Sequence, residues 1–127
     1  MKELSSNGFN SVLMHFRGCG REENLLPHSY HSGETGDALA FITSIHKELP
    51  HSKLYGVAYS LGANMLLKLL GEEKEKSLLT KVVAVSPPMQ LDICASTMDK
   101  GFSKYYQYRL IKDLKIALDK KYDKHSI

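Results

Sequence analysis

The residues that could do chemistry centre on one serine. Ser60 lies in the stretch Tyr55-Gly56-Val57-Ala58-Tyr59-Ser60-Leu61-Gly62, where one apolar run ends and a second, of helical pattern, begins. A strand that enters a tight turn with a serine at its tip, and leaves as a helix, holds the hydroxyl clear of the sheet as a nucleophile. Such a turn wants small residues two before and two after the serine, because strand and helix pass close there. Those residues are Ala58 and Gly62, with Tyr59 between Ala58 and the serine. The usual pattern is Gly-x-Ser-x-Gly, from which Ala58 departs by one methyl group. The N-terminus of the following helix points at the site, and the backbone N–H of Leu61 is placed to donate to a developing oxyanion. This is equipment for attack on a carbonyl carbon. A bare Ala-x-Ser-x-Gly also arises by chance, so the flanking elements must carry the reading.

Those elements alternate regularly. Lys2 to Ser6 reads as a last helical turn stopped by Asn7-Gly8. Asn10 to Phe16 is a short apolar run that suits a buried strand. A polar loop follows from Arg17-Gly18-Cys19-Gly20 through Pro27 to His31. The next helix is expected near Ser32-Gly33-Glu34-Thr35, with Ser32 as N-cap and Glu34 and Asp37 supplying negative charge to the first turns. Leu39, Ile42, Ile45, His46 and Leu49 recur at helical spacing up to Pro50. Lys53 to Ala58 predicts a second buried strand, and Leu61 to Leu70 a helix with Met65, Leu66, Leu69 and Leu70 inward and Gly71 as its stop. Glu72 to Lys76 is a solvated connection, Lys81 to Ser86 a third strand closed by Pro87-Pro88, and the chain from Leu91 onward is helical with one break at Lys100-Gly101. The order strand, helix, strand, helix, strand predicts an α/β fold with three parallel strands.

Bulk composition narrows the function classes. The chain has 127 residues, 43% hydrophobic and 24% charged, which fits one small globular domain or a piece of a larger one. A formal charge of +3 is too mild to imply nucleic acid, and no binding motif or continuous basic tract accompanies it. No apolar run approaches the roughly 18 residues of a membrane helix, and the start has no signal-peptide core. Two cysteines, Cys19 and Cys94, make neither a disulfide framework nor a metal site, and a reducing, cytoplasmic setting is expected. His15, His28, His46 and His51 have no partner at a ligand spacing, so no metal or other cofactor is expected.

The motifs His15-Phe16-Arg17-Gly18-Cys19, Ser29 to Thr35, Tyr59 to Leu66, Ser86-Pro87-Pro88, Met98 to Ser103 and Tyr106-Gln107 stand in an order that resembles the YheT-type α/β-hydrolases. These are predicted esterases and lipase-like enzymes found from bacteria to eukaryotes. The likeness runs from about Gly8 to about Lys121, and covers less than half of a typical member. It implies a partial α/β-hydrolase domain, with residues 1–88 as the core and elbow and 89–127 as a helical lid or cap. It implies a Ser–Asp–His hydrolase of carboxylic esters, acting on acyl-lipid or medium-chain ester substrates. Onto this chain it carries Ser60 as nucleophile and the Leu61 N–H as one oxyanion donor. Ala58 and Ala63 both stand where the family usually has Gly.

In that fold the acid and then the His follow the nucleophile in the chain, and the resemblance places this sequence's end in the lid, before either. His125 lies in a polar tail and is not expected to act as the base. The resemblance also implies a strand between Asn10–Phe16 and Lys53–Ala58 that leads into the second oxyanion donor, and this chain contains no such strand. The chain reads as a piece of a longer hydrolase whose remainder it requires. Alone it is expected to be catalytically inactive and marginally stable or aggregation-prone; a cooperative thermal transition in a purified monomer would contradict the stability expectation.

Arg17, His31 and Glu34 fall at the carboxyl end of the sheet, where α/β sites gather. They admit two readings: a lining or ion-pair brace of the pocket wall, or a loop fixed by hydrogen bonds and capping. The last helix interleaves Tyr105, Tyr108, Leu110, Ile111 and Leu114 with Arg109, Lys112 and Lys115. A basic amphipathic helix can lie on a membrane surface; in the family context it is the lid, its charges in water. Three functions therefore stand open at this point: a serine esterase or part of one, a non-catalytic remnant of such an enzyme, and a membrane-surface or partner-binding module.

Overall fold

The computed structural model describes residues 1–20, 24 and 29–125, the side chains of Lys124 and His125 excepted. The readings made above for His28 and for the side chain of His125 lie outside the described residues. The elements are α1 (Lys2–Ser6), α2 (Gly36–Glu48), β1 (Leu54–Tyr59), α3 (Ser60–Glu73), β2 (Leu79–Val85), α4 (Leu91–Met98) and α5 (Ser103–His125). A single 3₁₀ turn, Lys74–Lys76, links α3 to β2.

β1 and β2 form a parallel pair, with Gly56 opposite Val82, Ala58 opposite Ala84 and Tyr59 opposite Val85. A parallel pair needs a crossover, and α3 supplies it, packing back on both strands. Gly56 is where the helix comes closest. A Cβ there would lie 3.2 Å from Leu66 and 3.3 Å from Leu79 and Val82. The core is small: Ala38, Met65, Leu66 and Leu69, flanked by Met14, Phe16, Leu39, Ile42, Ala58, Leu79 and Val82. Each large side chain buried here contributes about 1.5–3 kcal/mol.

Four expectations are corrected. The sheet has two strands among the described residues, not three, because Asn10–Phe16 joins no ladder. A strand needs a neighbour, and between this segment and β1 lies an apolar groove of about 850 Å³ lined by Phe9, Val12, Leu13, Tyr55 and Val57. β1 is not buried on both faces. Leu54, Gly56 and Ala58 are half-buried, but Val57 is 51% and Tyr59 66% exposed, since α3 covers one face only. The cap of α2 is Thr35 rather than Ser32, and the Glu34 carboxylate accepts the Gly36 N–H at 2.9 Å. Finally, α3 runs through Gly71 to Glu73 and closes on Lys74, whose φ is +51°. One glycine weakens a helix interior without ending it.

Three other boundaries are as expected. α1 ends at Asn7-Gly8, α2 ends before Pro50, and Gly101, at φ +57°, separates α4 from α5. Two side-chain links tie α3 to the loop before α2. Lys68 donates to the Gly33 carbonyl at 3.0 Å and pairs with Glu72, while the Thr35 hydroxyl donates to Glu72 at 2.6 Å. Hydrogen bonds from Lys68 and Thr35 hold the Glu72 carboxyl below its ordinary pKa of 4.5. The sign follows from linkage: this stabilisation is complete above the ordinary value and is lost as pH falls through the depressed one. Carboxyl NMR titration should find Glu72 below its ordinary value, with Lys68→Ala and Thr35→Ala each moving it back up.

Candidate active site

Tyr59 ends β1 in extended backbone (φ −124°, ψ 144°), and Ser60 turns at once to φ +51° as the first residue of α3. A non-glycine residue in this left-handed region is strained by about 1–3 kcal/mol, and such strain gathers at functional sites. The turn projects Ser60 from the carboxyl end of the sheet, where its side chain is exposed. Leu61 is half-buried, and its N–H belongs to the first turn of α3, where helix amides lack intrahelical acceptors.

Of the two small residues flanking the serine, Ala58 packs on the core. Gly62 is less constrained than its place in the motif implies: a Cβ there would meet Phe16 only at 3.9 Å, an ordinary contact. Crowding falls instead at Gly56, four residues before Ser60, where the sequence pattern carries no warning. Ala63, at 0% exposure, is the tightest position behind the elbow.

Arg17 pairs with Asp37, whose place in the sequence marks it only as a helix-start charge, and Glu34 lies near enough to act on Arg17 and within 4.0 Å of His31. Arg17 grips Asp37 with two hydrogen bonds, Nε to Oδ2 at 3.0 Å and Nη2 to Oδ1 at 2.5 Å. The Asp37 bonds, and the nearby Glu34 charge, hold the guanidinium more firmly protonated than usual. His31 Nδ1 accepts the Gly33 N–H at 3.1 Å, and its Nε2 lies 4.0 Å from Glu34. These contacts hold both an ion pair and the loop and capping hydrogen bonds of the second reading. The neighbouring Phe16 stacks on Tyr30 with centroids 5.0 Å apart, and its ring lies 3.9 Å from where a Gly62 Cβ would stand. Burial, and then a hydrogen bond with Cys19, push the Tyr30 hydroxyl above its ordinary pKa. On the other side, Asn64 Nδ2 donates to the Pro88 carbonyl at 3.0 Å, joining the first turns of α3 to the segment after β2. Among the described residues no three His, Cys, Asp or Glu side chains gather as a metal ion would require.

A strained serine between a parallel strand and the helix that crosses back over it defines the class. The chain belongs to the α/β hydrolase fold family, whose model matches residues 1–125. It is 43% identical over 115 residues to the predicted esterase YheT of Escherichia coli (strain K12), a match that takes in 91% of this chain and 34% of that protein. It is 33% identical over 102 residues to medium-chain fatty acid ethyl ester synthase/esterase 2 of Saccharomyces cerevisiae (strain ATCC 204508 / S288c), covering 80% of this chain and 23% of the relative. Monoacylglycerol lipase of the same yeast is 30% identical over 83 residues, 65% of this chain and 18% of that protein. The YheT-type resemblance is borne out. The chain spans about a third or less of the length of these relatives. No solved structure matches it significantly.

Proposed function

We propose that this chain is the nucleophile-bearing segment of a serine hydrolase of carboxylic esters, with Ser60 as the attacking residue. The observation that carries the reading is the φ of +51° at Ser60, between β1 and α3. In the reaction, the Ser60 hydroxyl oxygen bonds to the ester carbonyl carbon as a general base takes its proton. The carbonyl oxygen becomes an oxyanion facing the Leu61 N–H. Collapse of the tetrahedral intermediate expels the alcohol, which receives that proton, and water then releases the acid from the acyl-serine. The acid and base of such a site follow the nucleophile in the chain. The proposal therefore assigns this segment the nucleophile, one oxyanion donor and the Arg17–Asp37 brace. It assigns the remaining groups to the portion of the hydrolase that corresponds to the rest of the E. coli relative.

Acyl-lipid or medium-chain esters are the proposed substrates, on the names of the two yeast relatives. Residues 89–127 are proposed as the lid. α5 packs on α4 and presents Leu114, Leu118 and Tyr122 to solvent, an apolar surface suited to closing over an acyl chain. A reducing, cytoplasmic setting is proposed on the cysteine count, which is too low for a disulfide framework.

The test supplies the rest of the enzyme. The full chain is grafted in place of the matching third of the E. coli relative and exposed to a fluorophosphonate. A covalent adduct mapped to Ser60 is expected. A folded graft that takes no label, beside an E. coli protein that does, would sink the reading.

A further inference from the structure

Three non-glycine residues among those described adopt positive φ: Ser60, Lys74 and Ser86. Lys74 closes α3. The other two are serines, and the sheet sets them side by side. β1 and β2 end in register at Tyr59 and Val85, so Ser60 and Ser86 are the next residues of adjacent parallel strands, at the same edge of the sheet. Neighbouring strands lie about 4.7–4.9 Å apart. The two backbones therefore leave the sheet about one strand spacing apart, on the side where an ester attacked by Ser60 would sit.

The backbone at Ser86, at φ +50°, is one that glycine adopts without strain and asparagine with little. A serine there keeps a Cβ where none is wanted, which points to a use for the hydroxyl. Ser86 is exposed, and among the described residues its Oγ has no protein hydrogen-bond partner. Nor is it loosely held. Pro87 and Pro88 follow, each with a fixed φ. The Pro88 carbonyl is tied to Asn64, one turn along α3 from Ser60. Elbow and post-β2 segment are thus fastened to each other.

We propose that Ser86 is a substrate-positioning residue of the Ser60 site, its hydroxyl hydrogen-bonding a polar oxygen of the bound ester. This rests on the reading of Ser60 as nucleophile. Because the contact is made to bound ester before and during reaction alike, its loss appears in KM rather than kcat.

The test uses the full chain in the E. coli graft, with a p-nitrophenyl acyl ester as probe. Ser86→Gly relieves the backbone and removes the hydroxyl, so Tm is expected to hold or rise while KM increases about 3- to 10-fold. Ser86→Asn, which tolerates the same φ and restores a polar group, should recover part of the loss. A folded Ser86→Gly variant with unchanged KM overturns the proposal. The Ser60→Ala arm separates the two ideas: turnover lost there, with Ser86→Gly indistinguishable from the parent, leaves the nucleophile standing and removes Ser86 alone. Full turnover in Ser60→Ala overturns both.

Discussion

Ester turnover by the grafted chain falls about 10⁴- to 10⁶-fold in kcat when Ser60 is replaced by Ala, with the fold intact. The size follows from what is removed. Without the Oγ no acyl-serine forms, and only ester binding and the oxyanion donor remain to assist direct attack by water. The fold survives because Ser60 is exposed and contributes nothing to the buried cluster. A companion substitution sharpens the expectation. Ser60→Gly loses the same chemistry but adopts a φ of +51° without a Cβ, so it should unfold at a higher temperature than Ser60→Ala. Steady-state kinetics with a p-nitrophenyl ester, beside thermal melts of all three proteins, check both halves. An active Ser60→Ala variant would remove the nucleophile from the proposal.

The largest structural effect is expected at Leu69. This side chain is 3% exposed and joins Met65, Leu66 and Ala38 in the only buried apolar cluster among the described residues. Leu69→Ala removes apolar contact and leaves a cavity, at about 2–5 kcal/mol. In a core of so few residues, that is a large share of the whole. Hydrogen exchange should show protection lost throughout α3 and β1 together, since α3 is the element that covers the sheet. Loss confined to the last turn of α3 would mean that Leu69 is peripheral and that the core lies elsewhere.

Much of the site is legible in the sequence. The apolar run before Ser60 and the helical run after it require a strand, a sharp turn and a helix, and local backbone chemistry then demands a residue at positive φ between them. The break at Gly101 and the end of α2 at Pro50 are legible for the same reason, because glycine and proline act through their own backbones. Ser86 is not. The sequence marks it as a strand end and as part of a family motif with Pro87-Pro88, with no role attached, and the register of β1 against β2 is what places it at the same sheet edge as Ser60.

The corrections share a cause. Asn10–Phe16 has the composition of a buried strand, yet composition cannot provide the neighbour whose N–H and C=O groups make a strand. Gly71 has the position of a stop, but the packing of the rest of α3 carries the helix through it. Asp37 stands in the sequence as a helix-start charge, and its grip on Arg17 spans 20 residues of chain.

What the sequence determined by itself about this protein is therefore local: the elbow at Ser60, the family, and the sites where helices must begin or break. Tertiary structure alone decided which strands pair, which face of β1 is covered, where backbone crowding falls, and which residues stand beside the nucleophile. The physical reason is that φ preferences and apolar periodicity act over a few residues. Ladders, braces and cavities depend on segments far apart in the chain arriving at the same place.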